Sequence, residues 1–150
     1  AAQDAIVQEL DYFGFEAAVF GERPWTDDVA FRPGPEMSEG RSWCAAVLAG
    51  GRVMVFGCGS GNTVTEVLDT QTMAFTDEPG MLTFRSGSAA VHMMDADWVL
   101  VVGGIDDNGD PLNRTEIFHF STRRFTQGPN MLEARNKCSA VALDARRILV

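Results

Sequence analysis

The stretch Thr65-Glu66-Val67-Leu68-Asp69-Thr70-Gln71-Thr72-Met73-Ala74-Phe75-Thr76-Asp77-Glu78-Pro79-Gly80-Met81 decides how this chain is read, because it returns fifty residues later. The second copy is Thr115-Glu116-Ile117-Phe118-His119-Phe120-Ser121-Thr122-Arg123-Arg124-Phe125-Thr126-Gln127-Gly128-Pro129-Asn130-Met131. Carried on without a gap through Leu82/Leu132, Arg85/Arg135, Ala90/Ala140 and Val91/Val141, the overlay has eleven identities in 27 positions. A third copy lies 44 residues upstream, pairing Met37/Met81, Arg41/Arg85, Ala45/Ala89, Ala46/Ala90 and Val47/Val91. A period of this length marks a repeat architecture in which each unit buries its faces only against its neighbours.

Between the conserved blocks stand apolar runs that end in glycine: Val53-Met54-Val55-Phe56-Gly57, then Val99-Leu100-Val101-Val102-Gly103-Gly104, then the start of a third at Ile148-Leu149-Val150. Each unit reads as four short strands divided by turn signals, in the central unit about 86–93, 98–103, 115–119 and 123–127. One four-stranded sheet cannot cover both of its own faces, and units of this period cover them by radial stacking. The expectation is an all-β chain of about two complete four-stranded antiparallel blades and part of a third, over residues 35–150. A propeller closes with ~4–8 blades, so the chain is expected to be a piece of a longer protein or to have its open ends covered by a partner.

These residues resemble the kelch repeat, whose pattern sets a double glycine after strand two, Glu-x-aromatic on strand three and another aromatic seven residues on. Gly103, Gly104, Glu116, Phe118 and Phe125 follow it; Gly57, Glu66, Leu68 and Phe75 follow it with one glycine replaced by Cys58. Phe75 and Phe125 stand where the family usually has Trp, as expected of divergent blades. The glycines are expected to supply φ > 0 and close backbone approach. Phe75, Phe118 and Phe125 are expected to fill the space between adjacent sheets. All these are packing positions.

The loop from strand two to strand three and the loop entering strand one emerge on the same side of an antiparallel blade. They supply Ser60, Asn62, Thr63, Asp106, Asp107, Asn108 and Asp110, with Arg41, Arg85 and Arg135 nearby, one per unit. The kelch resemblance implies that arginines at this position can line a partner-facing rim. The residues themselves leave a second reading open, in which each Arg ties down its own blade turn. A mixed Arg/Asp rim suits a protein loop or tail through charge-assisted hydrogen bonds.

Composition narrows the function further. With 45% hydrophobic and 22% charged residues the chain fits an ordinary soluble domain. The net charge of −9 argues against nucleic acid or an anionic membrane as partner, and no apolar run approaches the ~18 residues of a membrane helix. Residues 1–30 carry seven acids against Arg23 alone, a net of −6, while the remainder carries 14 acids and 11 bases. The shift falls near Pro24–Pro35, so residues 1–20 are read as a helical segment and 21–34 as a linker. Ile6, Leu10 and Phe13 have helical spacing, with Gly14 placed as a cap. Glu9-Leu10-Asp11-Tyr12-Phe13-Gly14 resembles the last helix of potassium-channel-tetramerisation domains, relatives of the BTB fold, which would imply oligomerisation through a preceding domain.

Catalytic and metal patterns are lacking. Two histidines, His92 and His119, and one tyrosine, Tyr12, cannot supply the Tyr and His ligand set of copper radical oxidases. Asp106–Asp110 fails as a calcium loop: Pro111 takes the glycine position and Ile117 the terminal glutamate position. It reads as an Asn-Gly turn. Asn113-Arg114-Thr115 is an isolated glycosylation sequon. Cys44, Cys58 and Cys138 are an odd set; Cys44 and Cys138 hold equivalent positions two blades apart, too far for a disulfide, and are expected as buried free thiols of a cytoplasmic protein. The function expected is a non-catalytic protein-interaction module without cofactor, in its most specific form the substrate-recognition part of a cullin ubiquitin-ligase adaptor. The alternatives are a structural subunit of a larger assembly and, with no support from these residues, part of a propeller enzyme whose catalytic groups lie elsewhere.

Overall fold

The computed structural model describes residues 34–57, 63–93 and 96–150; the expected helix at Ala5–Phe13 and most of the expected linker lie outside the described residues. Pro35–Val150 form one compact unit. Its first sheet is β1 (Ala45–Ala49), β2 (Arg52–Phe56), β3 (Thr65–Asp69) and β4 (Ala74–Glu78), and its second is β5 (Ala89–His92), β6 (Trp98–Val102), β7 (Thr115–His119) and β8 (Arg124–Gln127). Both are antiparallel meanders in chain order, and β9 (Val141–Ala142) with β10 (Ile148–Leu149) opens a third unit as a hairpin. The all-β expectation of four-stranded antiparallel sheets holds, and no helix occurs among the described residues.

The repeat in the sequence is a repeat in the backbone. Val55 pairs with Glu66 in the first sheet as Val101 pairs with Glu116 in the second. Met73 (φ 54°) and Arg123 (φ 50°) make the same left-handed turn between strands three and four. The β1–β2 turn takes two consecutive positive φ angles, at Gly50 and Gly51, the combination a tight hairpin needs. The second sheet's first strand is shorter than its apolar pattern, because Gly87 (φ 69°) breaks the extended run and leaves only a bridge from Ser86 to Ile105. Strand four starts at Arg124, one residue late, because Arg123 belongs to the turn.

First strands lie side by side, β1 against β5 and β5 against β9, so the units fan outward from them. Backbone bonds between equivalent residues tie the fan together: the Gly87 amide donates to the Trp43 carbonyl (2.8 Å) and the Lys137 amide to the Gly87 carbonyl (2.9 Å). Alternation along each strand serves two interfaces. Val99 and Val101 point into a core with Ala45, Met54, Phe56, Val67, Phe118 and Phe125. Leu100 and Val102 point the other way, with Val91, toward Ala140, Ala142, Ile148 and Val150 of the hairpin. That double burial is why Val99–Val102 reads as an unbroken apolar run.

Phe118 and Phe125 meet at 5.1 Å between ring centroids, and Phe125 meets Phe56 of the first sheet edge-on at 6.1 Å. Fully burying a side chain of this kind stabilises by roughly 1.5–3 kcal/mol. Phe75 departs from the expectation set for it. It is half-buried, because it points from the first sheet toward a face that no other described sheet covers.

Candidate functional site

Building upward from the repeat, the first structure at the loop end of each sheet is a sealed ion pair. Arg85 donates through Nε and Nη2 to Glu116 Oε1 (3.2 and 3.0 Å) and through Nη1 to the carbonyls of Gly103 (2.9 Å) and Arg114 (2.8 Å). Glu116 also accepts from the amides of Leu82 (2.6 Å) and Thr83 (3.0 Å). Arg41 repeats this scheme: Nε to Glu66 Oε2 (2.7 Å), Nη1 to the carbonyls of Gly57 (3.2 Å) and Val64 (3.0 Å), with Glu66 accepting from the Ser38 amide (2.6 Å). Burial raises the Glu66 pKa, but the Ser38 amide and the Arg41 guanidinium outweigh it and leave the carboxyl below its ordinary value. Burial also draws the Arg85 guanidinium down, against the pull of Glu116.

The expected rim is therefore corrected at two of its three arginines. The Arg41 and Arg85 side chains are fully enclosed and hold the segment before strand one to strand three. A side chain enclosed in this way presents nothing to a partner, although Arg41 Nη2 has no hydrogen-bond partner among the described residues. Arg135 is different: its side chain is about half exposed, 3.7 Å from the exposed Glu133.

The glycines at the strand ends explain how closely neighbouring units approach. Gly57 (φ 75°) and Gly103 (φ 64°) both leave room for a carbonyl of the next unit, and a Cβ would stand 2.5 Å from the oxygen of Arg85 or of Arg135 respectively. Gly104 (φ 91°) instead lies against the strand entry of its own unit, less tightly, with a Cβ position 2.9 Å from the Ser86 oxygen.

What remains open at this end is a small set of side chains. Asp106 Oδ1 accepts from the amides of Asn108 and Asp110 (2.9 Å each), and the Asp110 amide leads the bonds that hold its carboxyl below the usual carboxylate range. The turn closes through the Gly109 amide on the Asp106 carbonyl (3.1 Å), at φ 88° for Gly109, as the Asn-Gly reading expects. Asp107, Asn108 and Asp110 are exposed. Arg135 sits at the base of this loop: its amide donates to Leu112 O (3.1 Å) and its carbonyl accepts from Gly104 N (2.8 Å). Ser60 and Asn62 lie outside the described residues, and Thr63 is partly buried, its carbonyl accepting from the Met81 amide (2.8 Å).

Two contributors were missed from the sequence. Trp43, 61% exposed, lies with its ring 4.7 Å from Lys137 Nζ, a cation–π contact made across the equivalent Gly87. The signal was present in the threefold alignment of Trp43, Gly87 and Lys137, all at positive φ, which marks one position of the repeat occupied by three different residues. The surface of this end thus offers an aromatic face, two cationic side chains and a rigid acidic loop.

Other candidates are spent locally. His92 Nε2 bonds to Ala96 O (3.0 Å) and His119 Nε2 to Thr126 Oγ1 (2.9 Å). Cys44 and Cys138 are free thiols, but Cys44 is exposed, against the expectation of burial, because its strand has not yet begun; Cys58 lies outside the described residues. Among the described residues no group of three or more His, Cys, Asp or Glu side chains is placed to hold a metal ion, and no helix is long and apolar enough to cross a membrane.

Comparison with known proteins agrees with this geometry where it speaks. Residues 99–132, from β6 through β8 and into the following loop, match the kelch motif. No curated protein matches the chain. Nothing in these comparisons points to a BTB-like domain ahead of the repeats. The kelch motif is in general a protein-interaction motif, and the match carries that coarse statement to this chain.

Proposed function

We propose that the chain is a non-catalytic protein-interaction module that binds its partner at the sheet end carrying Trp43, Lys137, Arg135 and the Asp106–Asp110 loop. The observation that carries the reading is Trp43, a large aromatic left 61% exposed beneath a lysine and backed by rigid strand-entry backbone. Aromatic and guanidinium groups anchor interfaces disproportionately, while a preorganised loop loses little entropy on binding. The acidic loop supplies acceptors for a partner's backbone amides or cationic side chains.

The test is site-specific photocrosslinking in cells that make the protein. Crosslinkers at Trp43 and Asp107 should capture the same partner, and one at Thr72, in the turn at the opposite end, should not. Capture only from Thr72, or from the sheet faces, would overturn the proposal. A second reading, a structural subunit of a larger assembly, is favoured by Val141, Leu143 and Leu149, each more than half exposed on the third unit; it predicts capture through those residues. The finer adaptor reading for a cullin ubiquitin ligase, with its cytoplasmic location and oligomerisation, rests on Glu9–Gly14 alone, outside the described residues. Co-purification with a cullin tests it.

A further inference from the structure

The first strands β1 and β5 lie side by side, and the two complete sheets diverge from them toward their outer strands. The side chains Ala74 and Thr76, which β4 presents to the second sheet, are small and do not close the gap. What is left is a cavity of about 420 Å³ between the sheets, a size that suits a small-molecule ligand. Its floor is the buried core of Met54, Val67 and Phe118, and Phe120, only partly buried, forms the aromatic wall on the second sheet.

The charged groups around this cavity differ in what they have left to offer. Asp69 Oδ1 accepts from the amides of Gln71 (2.8 Å) and Thr72 (3.0 Å). The Glu78 side chain, 6% exposed, accepts on both oxygens from Nε and Nη2 of Arg123, at 2.8 Å each, and this ion pair straps the two sheets together beside the cavity. Arg52 stands opposite Asp69 in the strand register and is exposed. The two charges attract each other, but the Arg52 side chain donates no hydrogen bond to a described residue. Both carboxylates are therefore engaged where they stand. The unspent groups are donors: the whole Arg52 guanidinium and Nη1 of Arg123, beside an apolar, aromatic floor.

We infer that this cavity binds a small organic acid with an aromatic body, whose carboxylate pairs with Arg52 while its ring lies against Phe118 and Phe120. Burial over Met54 and Val67 supplies affinity, and the guanidinium selects and orients the anion. A cationic ligand would find both carboxylates taken and would meet two guanidiniums instead. An uncharged ring would gain the burial without the charge-assisted bond. The cavity reaches the Thr72 turn, at the end opposite Trp43 and Lys137. It is separate from the partner surface proposed above, and either reading can fail without the other.

The probe is naphthoate, titrated into the isotope-labelled protein and followed by NMR, with naphthamide and naphthylmethylammonium as its neutral and cationic counterparts. Naphthoate should move the amides of Ala74 and Thr76 and the Arg52 Nε signal. Arg52→Gln in the protein, or the change from acid to amide in the probe, should weaken binding by roughly tenfold. Arg52 is exposed and hydrogen-bonded through its side chain to no described residue, so that variant keeps the fold. Thr76→Trp, at another exposed position, should fill the cavity and abolish binding with the melting temperature near that of the wild type. The inference is overturned by the absence of saturable binding, by equal binding of acid and amide, or by a preference for the ammonium. It is equally overturned if Arg52→Gln binds as the wild type does, or if the shifts lie away from the cavity, as at Asp106–Asp110.

Discussion

Gly103 lies against Arg135 so closely that a methyl group on its Cα would stand 2.5 Å from the Arg135 carbonyl oxygen, and its φ of +64° is one that side chains rarely adopt. Gly103→Ala should therefore carry both the left-handed backbone cost of about 1–2 kcal/mol and the cost of forcing two units apart. Gly50→Ala, at φ +57° with nothing within 4 Å, should show the backbone cost alone. Urea denaturation of the two variants should place Gly103→Ala clearly lower; equal midpoints would mean that the units are not packed this closely.

The two aromatics of the seven-residue spacing should behave differently despite matching in sequence. Phe125 is 8% exposed among Phe118 and Phe56, so Phe125→Ala should destabilise by about 3–5 kcal/mol. Phe75, half-buried, should cost roughly half as much on truncation. Thermal melts of both variants check this.

Thr65 and Thr115 make a finer contrast at one repeat position. Both are buried, but Thr115 Oγ1 donates to Pro129 O at 2.7 Å while Thr65 Oγ1 has no partner among the described residues. Thr115→Val should cost about 1 kcal/mol, and Thr65→Val should be neutral or stabilising. Denaturant midpoints that fall equally would contradict the difference.

Acid should loosen the first sheet through Glu66. Its folded pKa lies below the ordinary 4.5, so its contribution is complete above that pH and is lost as pH falls through the lower folded value. Asp69, held down first by the Thr72 amide and then by the Gln71 amide, acts with the same sign. Glu66→Gln should lower stability at pH 7 and flatten the decline below about pH 4.5. An unchanged pH slope would show that Glu66 is not the group being titrated.

Much of this was legible in the sequence because repetition reports burial directly. Thr65–Met81 against Thr115–Met131 located the strands, and Val99–Val102 stood out as an apolar strand ending in glycine. The arginines were visible, but not their partners: Arg41 and Glu66 are separated by 25 residues, Arg85 and Glu116 by 31, and nothing local ties a loop guanidinium to a carboxylate on strand three. Their pairing follows from the fold bringing strand entry beside strand three. Trp43 and Lys137 escaped notice because the repeat places Gly87 between them, and a side-chain contact across a glycine leaves no common motif. The bidentate link from Arg123 to Glu78, at 2.8 Å for both bonds, joins turns and strands of different sheets and was equally silent.

The most direct test of the account is the thermal stability of Arg85→Ala beside that of Arg135→Ala. Arg85 is buried on Glu116, so its loss leaves an uncompensated carboxylate and should cost about 3–5 kcal/mol. Arg135, half exposed and 3.7 Å from an exposed glutamate, should change stability by no more than about 1 kcal/mol. A large fall for Arg85→Ala with Arg135→Ala near wild type would establish that Arg85 is framework through Glu116. Two small, equal effects would contradict that claim and return all the arginines to the binding rim.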